Sequence, residues 1–406
     1  MANDLTPSFE DVWARTQQDV FLKRSIAMVV ADTSFNSTMR AGDVLKRTYR
    51  SVTASDVPGL YTRGSDMDDT DITDVAETLT VNKEYYISFV VDDFDAIQSK
   101  YDVAMNYGND FGIVMQTQMD ADVLGEVFNA ASTVDDGTIG GTAWNGIALS
   151  TSNVLTTVTA VTKKLTKLNI YDTDKVGAVS PEFEEIISQY YGAKVTDLGD
   201  DVSLNGYFTK ISGYKLYSTN NLAGSAVLAM ATQPTDGDTV TIQGITFTFK
   251  TTLGSTAGNV LIGASADAAR VNLAALINTP QTTTAQGVAL SAANIKQLRS
   301  RGVTATDDPS GNTMIVKFKG AGVLAVSETF TDGTDTWTAV KQKQHQLFGI
   351  KNKCTTLVVQ KKPSVEVERV QKRLSDRIKN GMLYGLKTFA DNAKYMVNVE
   401  IKSSGF

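Results

Sequence analysis

Two residues of this 406-residue chain are singular: His345 is its one histidine and Cys354 its one cysteine. Together they could form a thiolate–imidazole pair for nucleophilic catalysis, because a cysteine attacks only as the thiolate and needs a base or cation beside it. Cys354 lies in an apolar, strand-like run, however, where a thiol reads as inert packing. With one histidine and one cysteine, counting excludes a site built on several histidines, an intrachain disulfide and a cysteine-rich metal cluster. Asp92, Asp93 and Asp95 could pair as acid and base or hold a cation; at the point where the pattern turns helical they read more simply as helix-start caps. The acidic run Asp66–Asp74 could take calcium but lacks the glycine and terminal glutamate spacing of an EF-hand. The chain contains no GxxxxGK(S/T), HExxH, GxSxG or CxxC. Gly137, Gly140, Gly141 and Gly146 do not join a strand to a helix with phosphate-loop spacing and read as a flexible loop. No catalytic residue, metal site or cofactor is expected.

The elements that would position any such residue follow from composition and period. The chain is 42% apolar and 20% charged, with a net charge of −7. Its length suits two to three domains at ~150 residues each, and its acidity argues against wrapping nucleic acid as the main task of the exposed surface. No run approaches the ~20 apolar residues of a membrane helix, and the N-terminus shows no basic start or apolar core of a secretion signal. An intracellular soluble chain is expected.

Phe9–Val30 could carry a helix. The stretch Val52–Glu77 sets seven acids against Arg63, for a net −6, and holds Pro58, Gly59 and Gly64; it reads as an exposed loop or hairpin. Thr78–Val91 alternates as a strand. From Asp92 the period changes: Phe94, Ile97, Tyr101, Met105, Phe111 and Met115 recur at three- and four-residue steps, with no proline between Pro58 and Pro181. A helix over 92–130 would span about 58 Å, too long for one compact core to wrap. Helices follow at about 152–168 and after Ser180-Pro181-Glu182, which has the form of an N-cap, a first-turn proline and first-turn acids. From about Ala226 to Lys341 the chain becomes rich in threonine, alanine and glycine. A hairpin at Gln243-Gly244, a helix capped by Ser265 and a strand around Val316 read as a small α+β domain inserted in a larger one. Its expected core is Val240, Ile242, Phe247, Phe249, Leu273, Leu276, Ile277, Val316 and Phe318. Lys341–Lys379 then carries eleven basic residues against three acids, a net +8; it reads as a solvated face, a surface for an acidic partner, or a nucleic-acid contact.

The order of these features resembles the major capsid proteins of tailed bacteriophages, whose fold is shared by encapsulins and herpesviruses. The resemblance is carried by the acidic loop after Pro58, the strand ending Ser88-Phe89-Val90-Val91-Asp92-Asp93-Phe94, and the long helix. It is carried further by Ala178-Val179-Ser180-Pro181, by Gly213-Tyr214-Lys215-Leu216-Tyr217, and by Lys362-Pro363-Ser364-Val365-Glu366 with Tyr384-Gly385-Leu386-Lys387. It implies an α+β fold with an N-terminal arm (1–44), an extended acidic loop and strand (45–91), and a spine helix with a peripheral domain (92–190). An axial domain with a return to the peripheral domain (191–225 and 342–406) and the inserted surface domain (226–341) complete it. By position, helix 152–168 would belong to the peripheral part and helix 181–191 to the axial part. The implied function is a non-enzymatic coat subunit that assembles into hexamers and pentamers of an icosahedral head. Its partners would be itself, a separate scaffolding protein, a portal, possible decoration proteins, and non-specifically held DNA on the inner face, with no membrane. It would be a virion protein assembled in the host bacterial cytoplasm. An encapsulin-like compartment and a phage tail or adhesion protein are the alternatives; a β-module adhesin would lack the long helix. The opposite charges of the two runs suit contact between copies, with Asp66, Asp68, Asp69, Asp71 and Asp74 set against Lys362, Arg369, Lys372, Arg373 and Arg377.

Overall fold

The computed structural model describes residues 25–37, 39, 44–50, 60–64, 66–67, 74–94, 103–171, 173–193, 211–320 and 324–403. Its axis is the helix Val103–Gly125, which tightens at its end into a 3-10 turn over Glu126–Asn129. At 1.5 Å per residue the described helix is about 34 Å long. The strand before it ends at Asp92, and residues 95–102, with Ile97 and Tyr101, lie outside the described set, as does the side chain of Met105.

The helix has no single apolar stripe, and its surroundings give the reason. Its first half lies on a five-stranded sheet: the long strand Ser375–Lys387 pairs on one side with Lys83–Asp92, and on the other with Thr355–Lys361 and Val365–Arg369, while Ala31–Asp32 edges Thr355–Lys361. Phe111 is half-buried there, its ring 5.2 Å from that of Phe89. Met115 is buried with Met119, Leu357, Met382 and Tyr384. From Met119 to Gly125 every residue is buried, because this half passes through the middle of the molecule. A helix covered all round needs no amphipathic face. Phe94, expected in the helix core, is instead 61% exposed. It follows the last pair of the sheet, Asp92 with Ser375, and so has no strand beneath it.

The expected strand over 78–91 divides in two. Asp74–Thr80 pairs antiparallel with Val44–Arg50 as an isolated ribbon, and Lys83–Asp92 enters the five-stranded sheet. The junction passes close to Gly385, where an added Cβ would sit 2.7 Å from the Thr80 carbonyl.

A nine-stranded sheet forms the second body. The strand Lys343–Ile350 runs beside Met396–Lys402 on one side; its other side is shared by Ala223–Ala229 at its start and Lys175–Val179 at its end. Helices Val154–Lys167 and Pro181–Gly192 pack on this sheet in one buried cluster that includes Val158, Val161, Phe183, Ile187, Phe348 and Val399. The stripe Val154, Val158, Val161, Leu165 thus shares a core with Phe183 of the second helix. Ser180 caps the second helix, its Oγ accepting from the Phe183 N–H at 3.3 Å.

The same sheet continues into the threonine-rich stretch. Ala223–Ala229 pairs with Thr313–Phe318, which pairs with Thr304–Asp308. Beside it stands a four-stranded sheet of Asn259–Leu261, Ile245–Lys250, Thr239–Ile242 and Val326–Glu328. Gln243 and Gly244 both have positive φ, 54° and 79°, the backbone of a two-residue hairpin turn. With helices Ala266–Asn278 and Ala292–Ser300 these strands enclose one core. All nine side chains named above for this region lie in it, and every member of that core falls between Ala226 and Trp337.

Phe111→Pro removes a backbone hydrogen bond and clashes with the preceding turn in the middle of the long helix. It should lower the stability of the unassembled chain by about 3 kcal/mol or more in a denaturant titration. A wild-type midpoint would be incompatible with a continuous helix at this position.

Candidate assembly surfaces and the polar interior

The two singular residues do not meet as a catalytic pair. The Cys354 thiol donates to the Ile350 carbonyl at 3.3 Å and lies 3.7 Å from that of Tyr395, and burial pushes it up to about 12. His345 sits between Ser225 Oγ, 2.8 Å from Nε2, and Asn398 Oδ1, 3.0 Å from Nδ1, with the Phe128 ring against it. Burial lowers its pKa from 6.5 to about 3. The ring is therefore neutral at pH 7, donating from Nδ1 to Asn398 and accepting at Nε2. Its approach to Glu400, 3.9 Å, is not an ion pair.

Two buried carboxylates that the sequence pattern did not single out organise the interior. Asp120 Oδ1 accepts from the N–H groups of Ile26 and Ala27 at 2.7 and 2.6 Å and from Ser25 Oγ at 3.3 Å; its Oδ2 accepts from Asn221 Nδ2 at 3.0 Å. Burial raises its pKa, and these bonds oppose the rise. Asp122 Oδ2 accepts from the Tyr384 hydroxyl at 2.7 Å and the Tyr85 hydroxyl at 3.4 Å, with Lys83 Nζ at 3.5 Å and Lys319 Nζ 3.9 Å from Oδ1. Burial, then the Asp122 charge, push both tyrosines above their ordinary range. The available signal was two acids inside an otherwise apolar helical run, Met119-Asp120-Ala121-Asp122-Val123-Leu124.

The charged runs are placed only in part. Asp66 and Asp74 are exposed; Asp68, Asp69 and Asp71 lie outside the described residues. Arg369 is committed within its own chain. Its two guanidinium nitrogens meet the two Asp93 oxygens at 2.6 Å each, and one also meets Asp376 at 3.1 Å. This removes Arg369 from the free basic surface. The Arg369 hydrogen bonds hold the Asp93 carboxyl below the usual range. Asp92 does cap locally, accepting from the Phe94 N–H at 3.0 Å; Asp95 lies outside the described residues. Lys361 pairs with Glu366 and Lys379 with Glu368. Lys362, Lys372, Arg373 and Arg377 are exposed and form no ion pair among the described residues.

Large apolar side chains also stand in water. Beyond the ribbon, Leu60 is 98% and Met67 77% exposed, with Tyr61 beside them in sequence. On the sheet face turned away from the long helix, Tyr86 is 81% exposed, next to Val90 on the same face.

No protein-family model and no curated protein matches the chain. Solved structures do. One from Mycobacterium phage Che8 matches with a TM-score of 0.55 at 13% identity, over 96% of each chain. The capsid structure of cyanophage P-SCSP1u matches with a TM-score of 0.56 at 10% identity, over 100% of this chain and 96% of that one. The mature capsid of bacteriophage PhiM1 matches with a TM-score of 0.52 at 10% identity, over 98% and 93%. The likeness is one of fold and extends across the whole chain, threonine-rich stretch included. The chain has the fold of tailed-phage major capsid proteins.

The neutral, buried His345 fixes a sign. Between about 3 and 6.5 the unfolded chain binds a proton there that the folded chain does not, so stability falls as pH falls through this window. In denaturant titrations of the unassembled chain, His345→Asn should flatten the pH dependence between pH 6.5 and pH 4, by up to about 1.4 kcal/mol per pH unit. Parallel curves for the two proteins would mean that the histidine is protonated in the fold.

Proposed function

We propose that this chain is the major capsid protein of a tailed bacteriophage, a structural subunit that assembles with copies of itself into the icosahedral head. The observation that carries the reading is the match of 98% or more of the chain to two phage capsid structures. The ribbon supports it: a lone two-stranded hairpin is marginal in water. Among the described residues it is anchored to the rest of the chain from its base to its middle pair, through Leu79, Arg47 over the Phe389 ring and the Glu77 carboxylate on the Ala390 N–H. In a shell a neighbouring copy covers the rest. On this reading the protein resides in the virion, with hexamers and pentamers of itself as its main contacts. Scaffolding, portal and decoration proteins and the packaged genome are the further partners.

Expression of the chain alone, followed by negative-stain microscopy, tests this. Closed particles or curved sheets are expected; monomers only, with a hydrolytic activity, would overturn it.

We further propose the division into an arm (1–44), extended loop (45–91), spine and peripheral part (92–190), axial part with a return to the peripheral part (191–225 and 342–406) and inserted domain (226–341). The insert has its own buried core, and ~115 residues suffice for independent stability. Because Ala223–Ala229 is a shared strand, the fragment to test is 223–341. It should melt in one cooperative transition by circular dichroism; a featureless melt would show that the core depends on the rest of the chain.

The charge split is proposed as an assembly contact between the acidic loop and Lys362, Lys372, Arg373 and Arg377 of an adjacent copy. One exposed pair contributes ~0–1 kcal/mol, so single substitutions should do little. Asp68, Asp69 and Asp71 changed together to lysine should block assembly while the monomer stays folded. Adding Lys372, Arg373 and Arg377 to glutamate should restore part of it, as scored by particle yield on sedimentation. Full assembly of the first variant would leave both runs as solvated surface.

A further inference from the structure

The helix Val154–Lys167 has two unlike sides. Val154, Val158, Val161 and Leu165 are buried on the nine-stranded sheet. The opposite side, with Thr138 from the preceding loop, lines an open groove of about 480 Å3 whose charged residues are Lys163, Lys164 and Lys167. The helix contains no acid. In the preceding loop Asp135 accepts from the Thr138 N–H and Oγ1 and from the Trp144 N–H, and Asp136 accepts from the Thr142 N–H. Among the described residues the three lysines form no ion pair. The hydroxyl protons of Thr138 and Thr159 are already spent, on Asp135 Oδ1 and the Thr156 carbonyl. The donors left to the groove are therefore the three ammonium groups and the Thr156 hydroxyl.

That chemistry selects the partner. Three point charges on one helix face, Lys163 and Lys167 about 6 Å apart along the axis, fit a closely charged phosphate backbone. No arginine, asparagine or glutamine lines the groove to grip a base edge with a planar fork, which favours contacts to phosphate, and those carry no sequence information. We propose that this groove holds the phosphate backbone of packaged double-stranded DNA, and so marks the face of the subunit that looks into the shell. The proposal rests on the capsid reading above.

The test uses the full-length chain, purified before assembly, and a short random-sequence DNA duplex labelled for fluorescence anisotropy. Each phosphate neutralised contributes about 0.9 to the slope of log affinity against log salt. The variant K163Q/K164Q/K167Q should therefore bind with a slope shallower by about 2 to 3, and K163R/K164R/K167R should keep the wild-type slope. In closed particles a shell-impermeant amine reagent should spare the three lysines, and in the unassembled chain it should modify them. An unchanged slope in the glutamine variant overturns the proposal and leaves the lysines serving the helix dipole alone. Modification in closed particles also overturns it. So does a glutamine variant that binds DNA normally yet fails to assemble, which would put an acidic face of a second copy in the groove. Wild-type particle formation is scored in the same preparations. Particles with an unchanged slope sink the groove alone, whereas wild-type chain that forms no particles sinks the capsid reading and the groove with it.

Discussion

The long helix carries two buried carboxylates, and the parts of the molecule are held in register by what those carboxylates accept. Asp120 and Asp122 are two residues apart, about 200° around a helix, so they point to opposite sides. On one side Asp120 gathers the start of the described chain, Ser25 to Ala27, and Asn221 at the entry to the strand that serves both bodies. On the other, Asp122 gathers Tyr85 and Tyr384 of the five-stranded sheet, together with Lys83 and Lys319. Burying a carboxylate is costly unless hydrogen bonds satisfy it. Every partner of Asp120 is a donor, and so are the partners of Asp122. The cost is thus offset only when the N-terminal segment, the sheet and the shared strand are all in place. An apolar helix could slide against its neighbours at modest cost; this one has a single position.

Lys319 extends the same logic to the inserted stretch. Its ammonium lies 3.9 Å from Asp122 and 3.8 Å from Glu126, and its methylenes cross Gly125, where an added Cβ would come within 2.5 Å of them. Next to it, Gly320 has φ of 73° and lies against Ala121, where a Cβ would be 2.6 Å away. The stretch is also joined to the larger body by strand pairing, Lys317 with Ser225 and Phe318 with Gly224, on a strand that itself pairs with Lys343–His345. It is consequently positioned by the spine helix and by sheet continuity together, while its core remains its own.

Much of this was legible in sequence, for identifiable reasons. The hairpin at Gln243-Gly244, the Ser180 and Ser265 caps and the alternation of Tyr85 to Val91 are set by local chemistry, so they survive folding unchanged. What failed is non-local. The spine helix was read by one apolar stripe, but its second half is covered on every side, so period carried no information about Asp120 or Asp122. Phe94 kept the helical spacing yet lies past the end of the sheet. Arg369 counted toward a free basic run because nothing in its neighbourhood in sequence reveals Asp93, 276 positions away. The pairing of helix Val154–Lys167 with helix Pro181–Gly192 on one sheet depends on Lys343–Ile350 and Met396–Lys402, which arrive much later in the chain.

Interior and surface use electrostatics in opposite ways. Inside, charges are few, each has several partners, and removing one leaves groups unmatched where water cannot reach; this gives one conformation per chain. Outside, Lys362, Lys372, Arg373 and Arg377 are exposed and unpaired among the described residues, and each exposed pair is worth ~0–1 kcal/mol and is screened over ~8–10 Å. Contacts that weak cannot define a fold, but they suit a contact made many times over. A closed shell repeats every subunit contact across its surface, so small terms add, while each remains reversible enough for misplaced copies to leave. On the capsid reading proposed above, a subunit whose inner frame is over-determined and whose rim is weakly charged and partly apolar, at Leu60, Met67 and Tyr86, would keep its shape through assembly, and the shell would be held by the number of its contacts more than by the strength of any one.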